Sequence, residues 1–296
     1  MLFRKLALLA VTLTWLSLVK AQEEDLLSLV GSDEKPEKQY VDYAFKSSRV
    51  IMSHSMELIR PGVMDLRILH RFGNINKGIY EMFGLDNASM RLGFDFGLSK
   101  NLMIGIGRST NKKELDGFFK YRLIHQSHGP GSIPFSLLFV GGSSMTLLKF
   151  TDTTRKNYFS SRLGYYGQMI LGRKFSESFS LQFMPTVVHR NLVPRPEDPN
   201  DVFAAGIATR VKLSKRISLN VDYYYRLNPN PADGTKNPLS VGFDIETGGH
   251  VFQLHFTNAS GMNEKVFLLE TTNDWAKGDI QFGFNISRSF QLKKKK

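Results

Sequence analysis

From Val63 to Leu292 the chain repeats, about a dozen times, a stretch of roughly ten residues that is apolar at every second position. Met90-Arg-Leu-Gly-Phe-Asp-Phe-Gly-Leu98 shows the pattern: Met90, Leu92, Phe94, Phe96 and Leu98 fall on one face, Arg91, Gly93, Asp95 and Gly97 on the other. Side chains alternate across a β-strand, so such a stretch has one greasy and one wet face. A tilted strand needs about 9–11 residues to cross a bilayer. The pattern therefore predicts an all-β fold, a closed antiparallel transmembrane β-barrel of about 12 strands.

Strands are expected at 63–72, 89–98, 102–110, 114–124, 135–145, 158–171, 178–189, 202–213, 217–226, 239–247, 250–257 and 279–291. Short connections (Ser99–Asn101, Ser214–Arg216, Thr247–His250) alternate with long polar ones such as Asn191–Asn200 and Asn228–Gly234. A barrel with periplasmic turns at one end and surface loops at the other has this alternation. The connection His125–Pro134 and the short loop after the third strand depart from it. Phe135-Ser-Leu-Leu-Phe-Val140 is apolar in both phases, the mark of a bulge or a protomer contact.

A soluble β-sandwich also alternates, but two features favour lipid. Whole strands carry bulky apolar residues on one face, as in Phe179, Leu181, Phe183 and Val187 or Ile280, Phe282, Phe284 and Ile286. The opposite face is rich in glycine (Gly93, Gly97, Gly105, Gly107, Gly206, Gly242, Gly283), which suits a crowded interior better than a solvated exterior. The 42% hydrophobic content, low for a membrane protein, is no obstacle, because only half of each strand meets lipid.

Residues 1–21 read as a cleaved signal peptide: Arg4 and Lys5, an apolar run from Leu6 to Val19, and the small-residue end at Ala21. Residues 22–39 are acidic and polar, a flexible mature N-terminus. The segment 40–62 is a candidate plug or periplasmic segment, 63–292 the barrel, and 293–296 a basic tail of four lysines. Net charge is +12, falling to +9 once Arg4, Lys5 and Lys20 leave with the signal, and four of those charges are the terminal lysines. Nucleic acid is accordingly not an expected partner; outer-membrane lipid and the barrel-insertion machinery are. The absence of cysteine excludes disulfides and thiol chemistry.

The inward phase places Arg67, Arg71, Arg91, Lys120, Arg122, Arg162, Arg210, Lys212 and Arg226 in the lumen, with Asp65, Asp95, Asp116, Asp222, Asp244 and Glu246. They predict either a small, partly occluded pore for polar or anionic solutes, or an Arg–Asp ladder that stiffens a non-conducting scaffold presenting loops or binding a periplasmic partner. A lipid hydrolase is a third, minor reading. It needs a lipid-facing Ser–His pair, and His189 has the right phase but no matching serine. No catalytic, cofactor or metal site is expected: His125 and His128 sit in one connection without a further ligand. Arg108 and Arg288 break the lipid-facing phase near strand ends, as headgroup-reaching arginines do.

Phe83-Gly-Leu-Asp86, Gly105-Ile-Gly-Arg-Ser-Thr110, Asp116-Gly-Phe-Phe-Lys-Tyr121 and Gly278-Asp-Ile-Gln-Phe-Gly-Phe-Asn-Ile-Ser287 resemble a family of outer-membrane β-barrel proteins from Bacteroidetes, a domain of unknown function. The resemblance spans Phe45 to Phe290. It implies fold and location and no chemistry. The terminus differs from many outer-membrane barrels, because Phe290 is followed by Gln-Leu and the lysines rather than ending the chain.

Overall fold

The computed structural model describes residues 37–150, 153–154, 156–228 and 234–292. The expected signal peptide and lysine tail lie outside them. All that follows concerns the compact unit that begins at Lys38.

Twelve strands form one closed barrel: β1 Val63–Asn74, β2 Ala88–Gly97, β3 Leu102–Ser109, β4 Glu114–Ile124, β5 Ser136–Thr146, β6 Leu163–Lys174, β7 Phe179–Arg190, β8 Asp201–Lys212, β9 Ile217–Arg226, β10 Leu239–Thr247, β11 His250–Thr257 and β12 Gln281–Gln291. Each pairs antiparallel with its sequence neighbour. Closure comes from β12 on β1, with Gln291 opposite Val63 and Ile286 opposite Ile68. Such closure leaves no unpaired edge, the condition for strands in hydrocarbon. A separate two-residue ladder pairs Gln39 with His128 and Tyr40 with Ser127.

Exposure alternates as the sequence pattern requires. On β2, Arg91, Gly93, Asp95 and Gly97 are buried inside while the alternate positions look outward. Phe183, Phe203, Ile207 and Phe243 are 44–50% exposed on the outer wall. Rings cross strand boundaries there: Phe72 stacks on Phe282 at 5.8 Å, and His70 on Phe284 at 4.9 Å. Arg288, exposed on the same wall, lies 5.0 Å from the Phe290 ring.

Two expectations need correction. The sixth strand begins at Leu163, not 158, because Phe159–Arg162 form a 3-10 turn. Arg162 is therefore not in the lumen. Its guanidinium bonds the carbonyls of Thr146 and Leu148 and lies 4.0 Å from the Phe150 ring, an outer-loop position. The inner face, moreover, is not polar throughout. Leu138 and Val140 (β5), Ile170 (β6), Met184 and Val188 (β7), and Ala204 and Ala208 (β8) point inward and are fully buried. On β5 the second apolar phase lines the inside, and the expected irregularity is present in its pairing with β4, where the register shifts between Arg122 opposite Leu138 and Ile124 opposite Leu137.

Inward glycines make room for long side chains. Arg91 on β2 reaches across β3, over Gly107, to Asp116 on β4, with bonds of 2.8 Å (Nε) and 2.5 Å (Nη2). A Cβ on Gly93 would stand 2.6 Å from Arg91 Nη1, and one on Gly107 would collide with the guanidinium. Removing one member of such a buried pair typically costs about 3–5 kcal/mol. Asp116→Ala should therefore lower the temperature at which the folded, fast-migrating gel band is lost, and Gly107→Val should do the same while leaving both charges in place.

Candidate functional site

The lumen is filled from both ends. From the short-turn end, residues 44–58 enter as a hairpin whose tip turns at Val50–Ser53, closed by Val50 N–H to Ser53 O (2.9 Å) and Ser55 N–H to Ser48 O (3.0 Å). Val50, Ile51 and Met52 are 1% exposed, and His54 is fully buried. From the long-loop end, the connection between β11 and β12 folds inward. Its helix α1, Glu264–Leu269, is buried at every residue and capped by the Asn263 side chain accepting from Val266 N–H at 3.0 Å. By the usual disposition of turns and loops, the hairpin stands at the periplasmic mouth and α1 at the outer one.

Irregular backbone at membrane depth must find hydrogen-bond partners inside the protein. The wall supplies them from residues of the inward phase. Lys120 Nζ donates to the carbonyls of Ser48, Ser55 and Glu57 at 2.8, 2.9 and 3.0 Å. Asp222 Oδ2 accepts from Met52 N–H, Ser53 N–H and Ser53 Oγ at 2.9–3.0 Å. Arg67 donates to the Ser47 and Ser48 hydroxyls, Arg122 to Met56 O, and Arg210 to Ala44 O. Asp95 accepts from Ser48 Oγ at 3.5 Å, and Glu246 pairs with Lys46 of the hairpin base.

The remaining inward charges bond within the wall or at its rim. Arg91 holds Asp116. Asp65 lies 3.5 Å from Arg67. Arg71 donates to Asn285 Oδ1 at 2.8 Å, Asp244 accepts from Gln253 Nε2 at 2.9 Å, and Arg226 donates to Thr235 O. Lys212 is half-buried where β8 ends.

Neutral inward residues do as much as the charged ones, and a reading confined to charges passes over them. Gln182 accepts from Met56 N–H (3.0 Å) and donates to His54 O (2.7 Å). Gln253 reaches Val50 O, and Asn285 reaches Ile51 O. Their strand phase marks them as inward; nothing local marks them as plug contacts. The hairpin's own Glu57 closes its base by accepting from Ala44 and Phe45 N–H. On the apolar side, Phe45, Ile51, Met52 and Met56 join one cluster with Leu138, Val140, Ile170, Met184 and Val188.

Hairpin and loop meet at a carboxylate. Glu264 Oε1 lies 3.0 Å from Arg49 Nη1 and 3.3 Å from His54 Nε2, with both acid and arginine 1% exposed. Beside them, Lys265 pairs with Glu114 of β4 at 2.7 Å, and Phe267 packs on Tyr224 at 5.3 Å.

At the hairpin base an open cleft of about 750 Å³ lies between Tyr43, Glu57 and Arg60 on one side and Lys100, Arg122 and His125 on the other. His125 stacks on Tyr40 at 4.9 Å and bonds Val41 O through Nε2. Burial, with Arg122 beside it, pushes the His125 imidazole below its usual pKa. At the opposite rim His189 bonds Asp201 through Nδ1 (2.8 Å) and Asn191 Oδ1 through Nε2 (2.9 Å), so an asparagine occupies the place a nucleophilic hydroxyl would need. Among the described residues, no group of three His, Cys, Asp or Glu side chains is arranged to hold a metal ion.

Among solved structures, the chain is similar to the KdgM porin in complex with disordered oligogalacturonate (7% identity, TM-score 0.47, 77% of this chain and 99% of that one). It is also similar to outer membrane protein Omp33 of Acinetobacter baumannii (9% identity, TM-score 0.40, 77% and 97%). No curated protein matches the chain in sequence. The architecture is established by the closed strand ladder, not by these likenesses. Residues 45–290 match the family model described as membrane bound beta barrel domain (DUF5777). The chain belongs to that family of membrane-bound β-barrels.

Proposed function

We propose that this barrel is closed at rest: a non-enzymatic, plugged scaffold of the outer membrane rather than an open channel for anionic solutes. The observation that carries the reading is the use made of the inward cations. Lys120, Arg122 and Arg210 donate to hairpin carbonyls and Arg67 to hairpin hydroxyls, so the groups that would attract a permeating anion already have partners. The exposed cleft at the hairpin base, with Tyr43, Arg60 and Lys100 on its walls, supports contact with a periplasmic partner.

One observation favours a second reading, a pore that opens on demand. The hairpin enters and leaves by one mouth and the α1 loop by the other, so either can withdraw without unthreading the chain. A twelve-stranded wall lies between the eight strands that side chains fill and the sixteen that leave a channel.

Planar-bilayer recording tests the proposal. The intact protein should be silent, whereas a variant with residues 45–57 replaced by a short Gly-Ser linker should show discrete steps with a reversal potential displaced toward chloride. Steady conductance from intact protein would overturn the closed reading. Loss of hydrogen bonds to a charged group costs about 1.5–3 kcal/mol each. Lys120→Met, which removes three from the hairpin, should accordingly make the segment 44–58 sensitive to protease added from the periplasmic side while the barrel band persists on gels.

A further inference from the structure

The hairpin and the α1 loop enter from opposite ends, yet the polar contacts between them converge on one atom, Glu264 Oε1. Elsewhere each element is well anchored. The hairpin has Lys120, Asp222 and Gln182. The loop has the Lys265–Glu114 pair, Lys112–Glu270 at 2.7 Å and Lys236–Asp274 at 3.3 Å.

The junction, like the anchors at Asp222, Glu114 and Glu270, keeps buried polar atoms unbonded. Arg49 Nε, His54 Nδ1 and Glu264 Oε2 are buried without partners. Arg49 is also drawn toward the Phe118 ring, 5.4 Å away, against which His54 packs edge-on at 4.4 Å. A buried charge network left partly unsatisfied is strong while intact and costly once one member goes, because the survivors are stranded away from water.

We infer that Glu264 is a latch joining an outer-surface element to the periplasmic plug, so that displacement of the β11–β12 loop loosens the hairpin. The inference rests on the closed-barrel reading and adds its control. Direction follows from topology. Residues 258–280 form an outer loop with rim contacts of which Asn74–Asn273 is half-buried and Asn76–Asp279 is exposed at the outer end. Its inner end contacts the hairpin turn, and the hairpin base lines the periplasmic cleft. A ligand gripping the loop in a withdrawn position would thus change what the periplasm meets. Coupling of this kind requires an element with two arrangements that both sites bias, here the hairpin seated or released.

The chain has no cysteine, so a single introduced thiol reports cleanly. Val50→Cys, at the buried hairpin tip, should resist a membrane-impermeant maleimide in proteoliposomes. Adding Glu264→Ala should raise the labelling rate about tenfold or more, as expected when a buried pair is broken and the tip opens locally. Glu264→Gln, whose carbonyl still accepts from Arg49, should label more slowly than Glu264→Ala. Arg49→Ala, which also removes a bond to Met52 O in the hairpin tip, should label at least as fast as Glu264→Ala, with the double variant no faster than Arg49→Ala alone. Retention of the heat-modifiable gel band in each variant shows that the barrel has folded. Rapid labelling of Val50→Cys with Glu264 intact would overturn the closed reading itself. Slow labelling that Glu264→Ala leaves unchanged would overturn the latch alone. If Arg49→Ala and Glu264→Ala act additively, the two side chains are not one joint and the latch again fails.

Discussion

An irregular stretch of backbone can lie at membrane depth only where the surrounding protein satisfies its N–H and C=O groups. That constraint organises this molecule. The barrel wall solves its own backbone problem by closing on itself, strand to strand, with β12 on β1. The hairpin 44–58 cannot, since its internal ladder holds only Arg49 opposite His54. The wall answers with Lys120, Asp222, Gln182, Gln253 and Asn285, each aimed at a main-chain group of the hairpin. Much of the inward polarity in this barrel is thus directed at a folded-in peptide.

The same demand accounts for the mixed inner face. Strands β4–β9 carry Phe118, Leu138, Ile170, Met184 and Tyr224 inward beside the polar anchors Lys120, Gln182 and Asp222, while β10–β12, β1 and β2 offer mainly amides, carboxylates and guanidinium groups. Glycine belongs to the same scheme. Gly107 leaves a trough through which Arg91 reaches Asp116 on the next strand but one, and Gly172 leaves room for the Met56 sulfur. Small residues on the wall set where large ones inside it can go.

The inward charges bond in more than one way. An Arg–Asp ladder exists in Arg91–Asp116 and in the weaker Arg67–Asp65 contact, but most of the charged set contacts the hairpin or secondary wall partners. Placing these residues inside needed nothing beyond strand phase, and phase is a local property with a period of two. Arg162 shows where phase misleads: the strand phase, extended back from Leu163, puts it inside, but Phe159–Arg162 form a turn before the ladder begins.

Twelve strands, their order, the lipid-facing rings and the inward position of Lys120, Asp222 and Arg91 were legible in the chain itself, because each follows from alternation and from the length needed to cross a bilayer. The pairing of Glu264 with Arg49, 215 positions apart, was not legible, nor was the choice of hairpin carbonyls by Lys120. Those contacts join segments with no periodicity of their own. What sits inside the cylinder depends on how two irregular loops fold back into it, and that is decided by which wall groups come within bonding distance once the barrel has closed.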